Sequence, residues 1–196
     1  MTFYSLTIDT TPALHSGRHA AMVASGALLR PAGLMGAWSV KFGPLNGVYL
    51  MQSADTPDTL AGLERPALPQ DFAVQDRQVI LLQGMTPLNA IPAEATICEL
   101  RTYDPYHDVA DRFLHLMMEH LPIRTSYSPN IGVWRALAGR SGRVYHMWAY
   151  RSAEERDAVR ARLQHDTAWQ SYVGQILPML QTMSSTLLAP ISLTGA

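Results

Sequence analysis

The sequence has one cysteine, Cys98, and one lysine, Lys41. A single thiol excludes an intrachain disulfide and a thiolate metal cluster. A formal net charge of −1 gives no electrostatic ground for binding nucleic acid or an anionic membrane. No apolar run approaches the roughly 20 residues that a membrane-spanning helix needs. The N-terminus runs Met1-Thr2-Phe3-Tyr4-Ser5-Leu6 straight into a strand pattern, without the basic and apolar regions of a signal peptide. A soluble, cytoplasmic protein is expected. There is no phosphate-cradling glycine loop, nucleophile elbow or Cys/His quartet. These absences disfavour NAD, ATP and zinc-hydrolase chemistry, and no cofactor or metal is expected.

What is present is a globular composition. Of 196 residues, 47% are apolar and 16% charged, enough chain for a sizeable core. Residues 3–9 alternate as a strand, and Thr11-Pro12 opens a helix to about Leu29. Strands follow at 34–42 and 47–53, divided by the hairpin signal Gly43-Pro44-Leu45-Asn46-Gly47. A short helix from Thr56-Pro57 to Leu63, the stretch Pro66–Pro69 and a strand at 78–83 complete a β-α-β-β-α-β unit. The order then recurs: strand 96–103, helix 107–121, strands 130–138 and 143–151, helices 153–163 and 167–183, and a strand near 185–189. Gly36, Trp38, Gly43, Val48, Tyr49 and Met51 match Gly132, Trp134, Gly139, Val144, Tyr145 and Met147, every pair 96 positions apart. Six identities in one ungapped frame define a tandem repeat. The expected organisation is a diverged N-terminal repeat over 1–84, a linker over 85–95 and a C-terminal repeat over 96–196.

Read with period two, the strands at 96–103 and 143–151 have faces of opposite character. Cys98, Leu100, Tyr145 and Met147 form the apolar face, which helices are expected to cover. Glu99, Arg101, Tyr103, His146, Trp148 and Tyr150 lie on the other face, where so polar a set is costly to bury unpartnered. If two α+β repeats turned these faces toward each other, they would line a barrel-like cavity.

The second half resembles the NIPSNAP family of the dimeric α+β barrel superfamily. The resemblance is carried by Glu99-Leu100-Arg101-Thr102-Tyr103, Phe113, Gly132 with Trp134, and His146-Met147-Trp148-Ala149-Tyr150. It continues through Arg156 with Arg160, Asp166 with Trp169 and Tyr172, and Leu187-Leu188-Ala189-Pro190. In the first half, Leu50 stands where the second has His146, and Gln52 where it has Trp148. The resemblance implies two ferredoxin-like repeats forming within one chain a barrel that normally needs two, with one asymmetric site and a possible homodimer of the fused barrel. The wider superfamily is similar to cofactor-independent monooxygenases, isomerases and cyclases of aromatic or polyketide substrates, and to haem enzymes.

His146, Glu99 and Arg101 are the catalytic candidates. A histidine beside a carboxylate can carry a proton, and an arginine in a dry cavity can hold an enolate or phenolate. The competing account makes Glu99 and Arg101 a structural ion pair and His146 a core residue. Tyr103, Trp134, Trp148 and Tyr150 are candidate substrate-binding walls. His15 and His19, four apart on a helix, have metal-ligand spacing but no third ligand nearby. His120 lies near an apolar helix stripe, with haem ligation as its functional alternative. Arg156 and Arg160 read as a solvated helix start, and Asp166 as a helix cap. The expected function is proton transfer on an aromatic or polyketide-like small molecule. The alternatives are a non-catalytic binding or interaction protein and a haem-binding protein.

Overall fold

The computed structural model describes residues 2–12, 16–25, 33–62, 74–140 and 142–193. It divides into two units, Met1–Gly84 with Thr186–Ala196, and Met85–Ser185.

In the first unit, β1 (Phe3–Thr10) pairs antiparallel with β3 (Gly47–Ala54) on one side and β4 (Asp76–Gly84) on the other. The outer edge of β3 pairs with β2 (Leu34–Phe42). The predicted hairpin turn is present, with Asn46 and Gly43 both at positive φ, the region that glycine and asparagine tolerate best. Helix α1 (Ser16–Ser25) lays Val23 against Ala37, Val48 and Leu50. The α2 helix (Pro57–Gly62) is opened by Thr56, whose Oγ1 accepts from the Thr59 amide at 3.0 Å. The predicted extension of α1 to Leu29, the end of α2 at Leu63, the stretch Pro66–Pro69 and His15 all lie outside the described residues.

The second unit repeats the order. Strand β7 (Val144–Tyr150) lies between β5 (Ile97–Pro105) and β6 (Asn130–Ala136), antiparallel to both. Helix α3 (Ala110–Thr125) lies between β5 and β6 in the chain, and α4 (Ala153–Gln164) and α5 (Thr167–Ile176) follow β7. The caps expected of Ser152 and Asp166 form, accepting from the amides of Glu155 and Trp169. Helix α5 stops at Ile176 rather than running on to Met183. Pro178 occupies the 3-10 turn that follows and has no amide to continue the helical ladder. Strand β8 (Leu180–Pro190) therefore starts early and is long. Its first half belongs to the second unit, where Thr182 and Ser185 donate to Asp104 and Glu99 of β5. Its last residues, Leu187–Pro190, pair with β2 of the first unit.

The tandem repeat extends to a backbone irregularity. In the first unit the register slips between Leu34, opposite Gln52, and Gly36, opposite Met51. In the second it slips between Asn130, opposite Trp148, and Gly132, opposite Met147. Just past each slip, the glycine leaves room for the indole two residues on, since a Cβ on Gly36 or Gly132 would overlap the ring of Trp38 or Trp134. Both tryptophans are buried. The paired Gly-x-Trp identities are thus one steric device used twice.

One expectation is overturned. In the second unit the helices cover the polar face of the sheet, not the apolar one. Tyr103, Val133 and Val144 pack with Phe113 and Met117 of α3 and with Tyr172 and Ile176 of α5. Trp148 and Tyr150 pack with Val159 and Leu163 of α4. Cys98, Leu100, Tyr145, Met147 and Trp134 are buried on the opposite face. The reversal is tolerated because the helices bring counter-charges to the polar face, which alternation along the strands cannot reveal.

Candidate functional site

Strands β5 and β7 pair Glu99 with Trp148 and Arg101 with His146, so their side chains rise together toward the helices. At the base is Glu99, only 1% exposed. Its Oε1 accepts from Arg156 Nη2 at 2.8 Å and from Ser185 Oγ at 2.7 Å. Arg101 and Arg160 approach the same oxygen at 3.5 and 3.6 Å. Burial pushes the Glu99 carboxyl up, but the hydrogen bonds from Arg156 and Ser185 and the neighbouring guanidinium charges outweigh it and hold it at about 2. Glu99 is therefore a permanent anion and a weak base. Of the two accounts of this residue, the geometry gives it the anchoring one. Arg156, expected in solvent, is largely buried against it.

Above Glu99, the Tyr150 hydroxyl donates to Oε2 at 3.3 Å and accepts from Arg124 Nη2. Arg124, from α3, also donates to Ser128 Oγ and lies over the Trp148 ring, 4.2 Å from its centroid. Among the described residues no carboxylate lies within ion-pair distance of Arg124, although the side chain is buried. Its burial lowers its pKa.

His146 is 5% exposed. Its Nδ1 accepts a 2.6 Å hydrogen bond from Trp148 Nε1, and its ring meets Tyr103 edge-on. An indole N–H only donates, so Nδ1 carries the lone pair and Nε2 carries the proton in the neutral ring. Nε2 has no hydrogen-bond partner among the described residues. Burial, then the charges of Arg101 and Arg124, push the pKa well below the usual histidine value despite the opposing Glu99. His146 is thus a neutral ring whose unused Nε2–H donor is buried.

Arg124, Trp148 and His146 help to line a cavity of about 280 Å³. Arg101, Tyr103, His146 and Trp148 come from the sheet, with Arg124 and His120 from α3 and Arg160 from α4. Met117, Leu163, Trp169, Tyr172 and Ile176 supply the apolar remainder. The mouth is marked by Arg160, Leu177 and Met183, each about half exposed. The structure thus brings together four sequence-chosen residues, Arg101, Tyr103, His146 and Trp148, with Glu99 and Tyr150 behind them. Trp134 is not among them, because its register opposite Tyr145 turns it to the other face. The residues expected to line a barrel interior instead line a cavity between a sheet and its helices within the second unit.

Sequence reasoning missed Arg124 and assigned Arg160 to solvent. The signal for Arg124 was present: it falls on the stripe of Phe113, Met117 and His120 along α3, where an arginine is out of place unless it faces a polar cavity. Three guanidiniums line this space against one carboxylate, Glu99, that is already shared, among the described residues. Such a wall can hold an acceptor-rich or anionic group of a flat apolar ligand.

Over its whole length the chain has the α+β fold of the dimeric α+β barrel class. It superimposes on the crystal structure of an anthrone oxidase-like protein with a TM-score of 0.66, covering 100% of this chain and 96% of that one. At 10% identity the likeness is one of fold. Residues 98–194 match the NIPSNAP family model, and the chain belongs to this family through its second half. It is 31% identical to an uncharacterized NIPSNAP domain protein from Burkholderia xenovorans, covering 51% of this chain and 99% of that one (TM-score 0.48). It is 33% identical over 96 residues to NipSnap homolog 3B of Mus musculus, covering 47% of this chain and 39% of the mouse protein. The match thus takes in well under half of that curated relative.

Proposed function

We propose that the second unit binds a small aromatic or polyketide-like molecule and stabilises it as its enolate or phenolate, making the protein a cofactor-independent enzyme of isomerase, cyclase or monooxygenase type. The observation that carries this reading is the imbalance of the cavity wall. Arg101, Arg124 and Arg160 line the space, and among the described residues Glu99 alone opposes them.

Donors fixed in place before the ligand arrives favour the form whose oxygen carries the charge, and they act strongly where water is scarce. An enolate so held can be reprotonated at another carbon, attack a carbonyl within the same molecule, or give an electron to dioxygen. These are the isomerase, cyclase and monooxygenase outcomes. His146 here is a neutral ring of the wall rather than the acid/base that spacing alone would make it. Arg101 is the charge partner, and Tyr103 and Trp148 supply ring contacts.

The name of the anthrone oxidase-like neighbour offers a probe, although a shared fold does not carry an activity with it. Anthrone has an acidic methylene whose ionisation places charge on the ring carbonyl oxygen. With dioxygen it gives anthraquinone and water, one oxygen atom entering the product and the other leaving with the two methylene hydrogens. Incubating the protein with anthrone in air should raise anthraquinone formation above the buffer rate, and Arg101→Met should lower it. Binding of anthrone with no acceleration would instead favour a non-catalytic carrier or sensor.

A further inference from the structure

An anion-stabilising cavity also needs somewhere for the departing proton to go, and the geometry points to His120 as that acceptor. The inference rests on the reading just given of the same cavity. His120 Nδ1 lies 2.9 Å from the Leu116 carbonyl oxygen, one turn back along α3. A carbonyl only accepts, so Nδ1 must carry the proton and donate it. In the neutral ring, Nε2 then holds the lone pair. The ring is stacked on Tyr172, 4.9 Å between centroids, which fixes its plane in the cavity wall.

His146 is held in the reverse sense. Trp148 donates to its Nδ1, which leaves Nε2–H as a donor with no partner among the described residues. Two imidazoles that line one cavity are therefore locked by their neighbours into opposite tautomers, His146 with its Nε2–H buried and His120 with a lone pair left at Nε2. Proton abstraction next to a carbonyl needs a base for the carbon-bound proton and a donor for the oxygen, roles that fall to His120 and the Arg101 guanidinium.

The step balances without an external reagent. The C–H electron pair moves into the carbon–carbon bond, and the carbonyl π pair moves onto oxygen, held by Arg101. The proton joins His120 Nε2, giving an imidazolium whose Nδ1–H keeps its bond to Leu116. Returning that proton to the same or another carbon restores neutral His120. The titratable and charged groups lining the space with His120 are Arg101, Tyr103 and His146 from the sheet, Arg124 from α3, Arg160 from α4 and Tyr172 from α5.

The test is deuterium exchange into the anthrone methylene in D2O without dioxygen, followed by proton NMR, beside nitrogen-15 NMR of the histidine rings in the ligand-free protein. Wild type should exchange faster than buffer, and His120→Asn should lose about a hundredfold or more while still binding anthrone. Exchange by a folded His120→Asn at the wild-type rate would overturn the assignment. The NMR spectra should show His120 protonated at Nδ1 and His146 at Nε2, and a His120 protonated at Nε2 would overturn it independently of any ligand. Should wild type fail to bind anthrone while the tautomers are as stated, the anion-binding reading fails and the paired tautomers stand.

Discussion

Arg156 Nη2 meets Glu99 Oε1 at 2.8 Å, joining α4 to β5 through a carboxylate that Arg101 and Arg160 also approach. The contact makes burial of a polar sheet face under helices physically acceptable, and it gives the first prediction.

Glu99→Gln removes the shared counter-charge and should destabilise the second unit by about 3 kcal/mol at neutral pH. In the folded chain the carboxyl is held at about 2, against an ordinary 4.5. The unfolded chain thus takes up its proton first as acid is added. The stabilisation is fully present above about pH 4.5 and is lost as pH falls toward 2. Hydrogen bonds from Arg143, chiefly, likewise hold Asp104 at about 2, so that residue contributes in the same window. Denaturant unfolding between pH 2 and 7 should show a steep acid limb in wild type and a shallower one in the variant. Equal slopes would show that Glu99 is not the linked group.

Gly132→Ala should lower stability by about 1–3 kcal/mol, because the new methyl overlaps the Trp134 ring within a close-packed interior. Gly36→Ala should do the same against Trp38. A methyl added at Gly174 of α5 would meet nothing within 4 Å, so Gly174→Ala should stabilise by about 0.5–1 kcal/mol. Thermal unfolding of the three variants separates the steric device from a general effect of adding alanine.

Much of this architecture was legible in the residues alone. The two β-α-β-β-α-β runs, the shared 96-residue offset and the division of each strand into two faces follow from local spacing. Which face a helix covers does not, because that depends on partners distant in sequence. Glu99 is neutralised by Arg156 and Arg160, two residues that taken alone resemble an ordinary solvated helix start. Trp134 was grouped with the site only as an aromatic able to stack a flat ligand, whereas the register opposite Tyr145 assigns it to the other face. His146 illustrates the same limit at a single residue. Its position was readable, but its tautomer depends on an indole two residues away and could be read only from the contact itself.

Arg124 is buried without a carboxylate partner among the described residues, so its charge is unfavourable in the empty protein. Arg124→Met should leave stability unchanged or raise it, by up to roughly 1–4 kcal/mol. The same change should weaken binding of an aromatic anion about ten- to hundredfold, the worth of one charge-assisted hydrogen bond. Calorimetric melting and a binding titration on the same variant check both halves. Loss of stability with unchanged affinity would make Arg124 a purely structural residue.

The most direct measurement is the visible spectrum of 4-nitrophenol, titrated with the protein at a pH one unit below the phenol's own pKa. Stabilisation of the anion by Arg101 and Arg124 predicts growth of the phenolate band on binding, with the growth lost in Arg101→Met and Arg124→Met. Binding of the neutral phenol, or a phenolate band unaffected by either substitution, would contradict it.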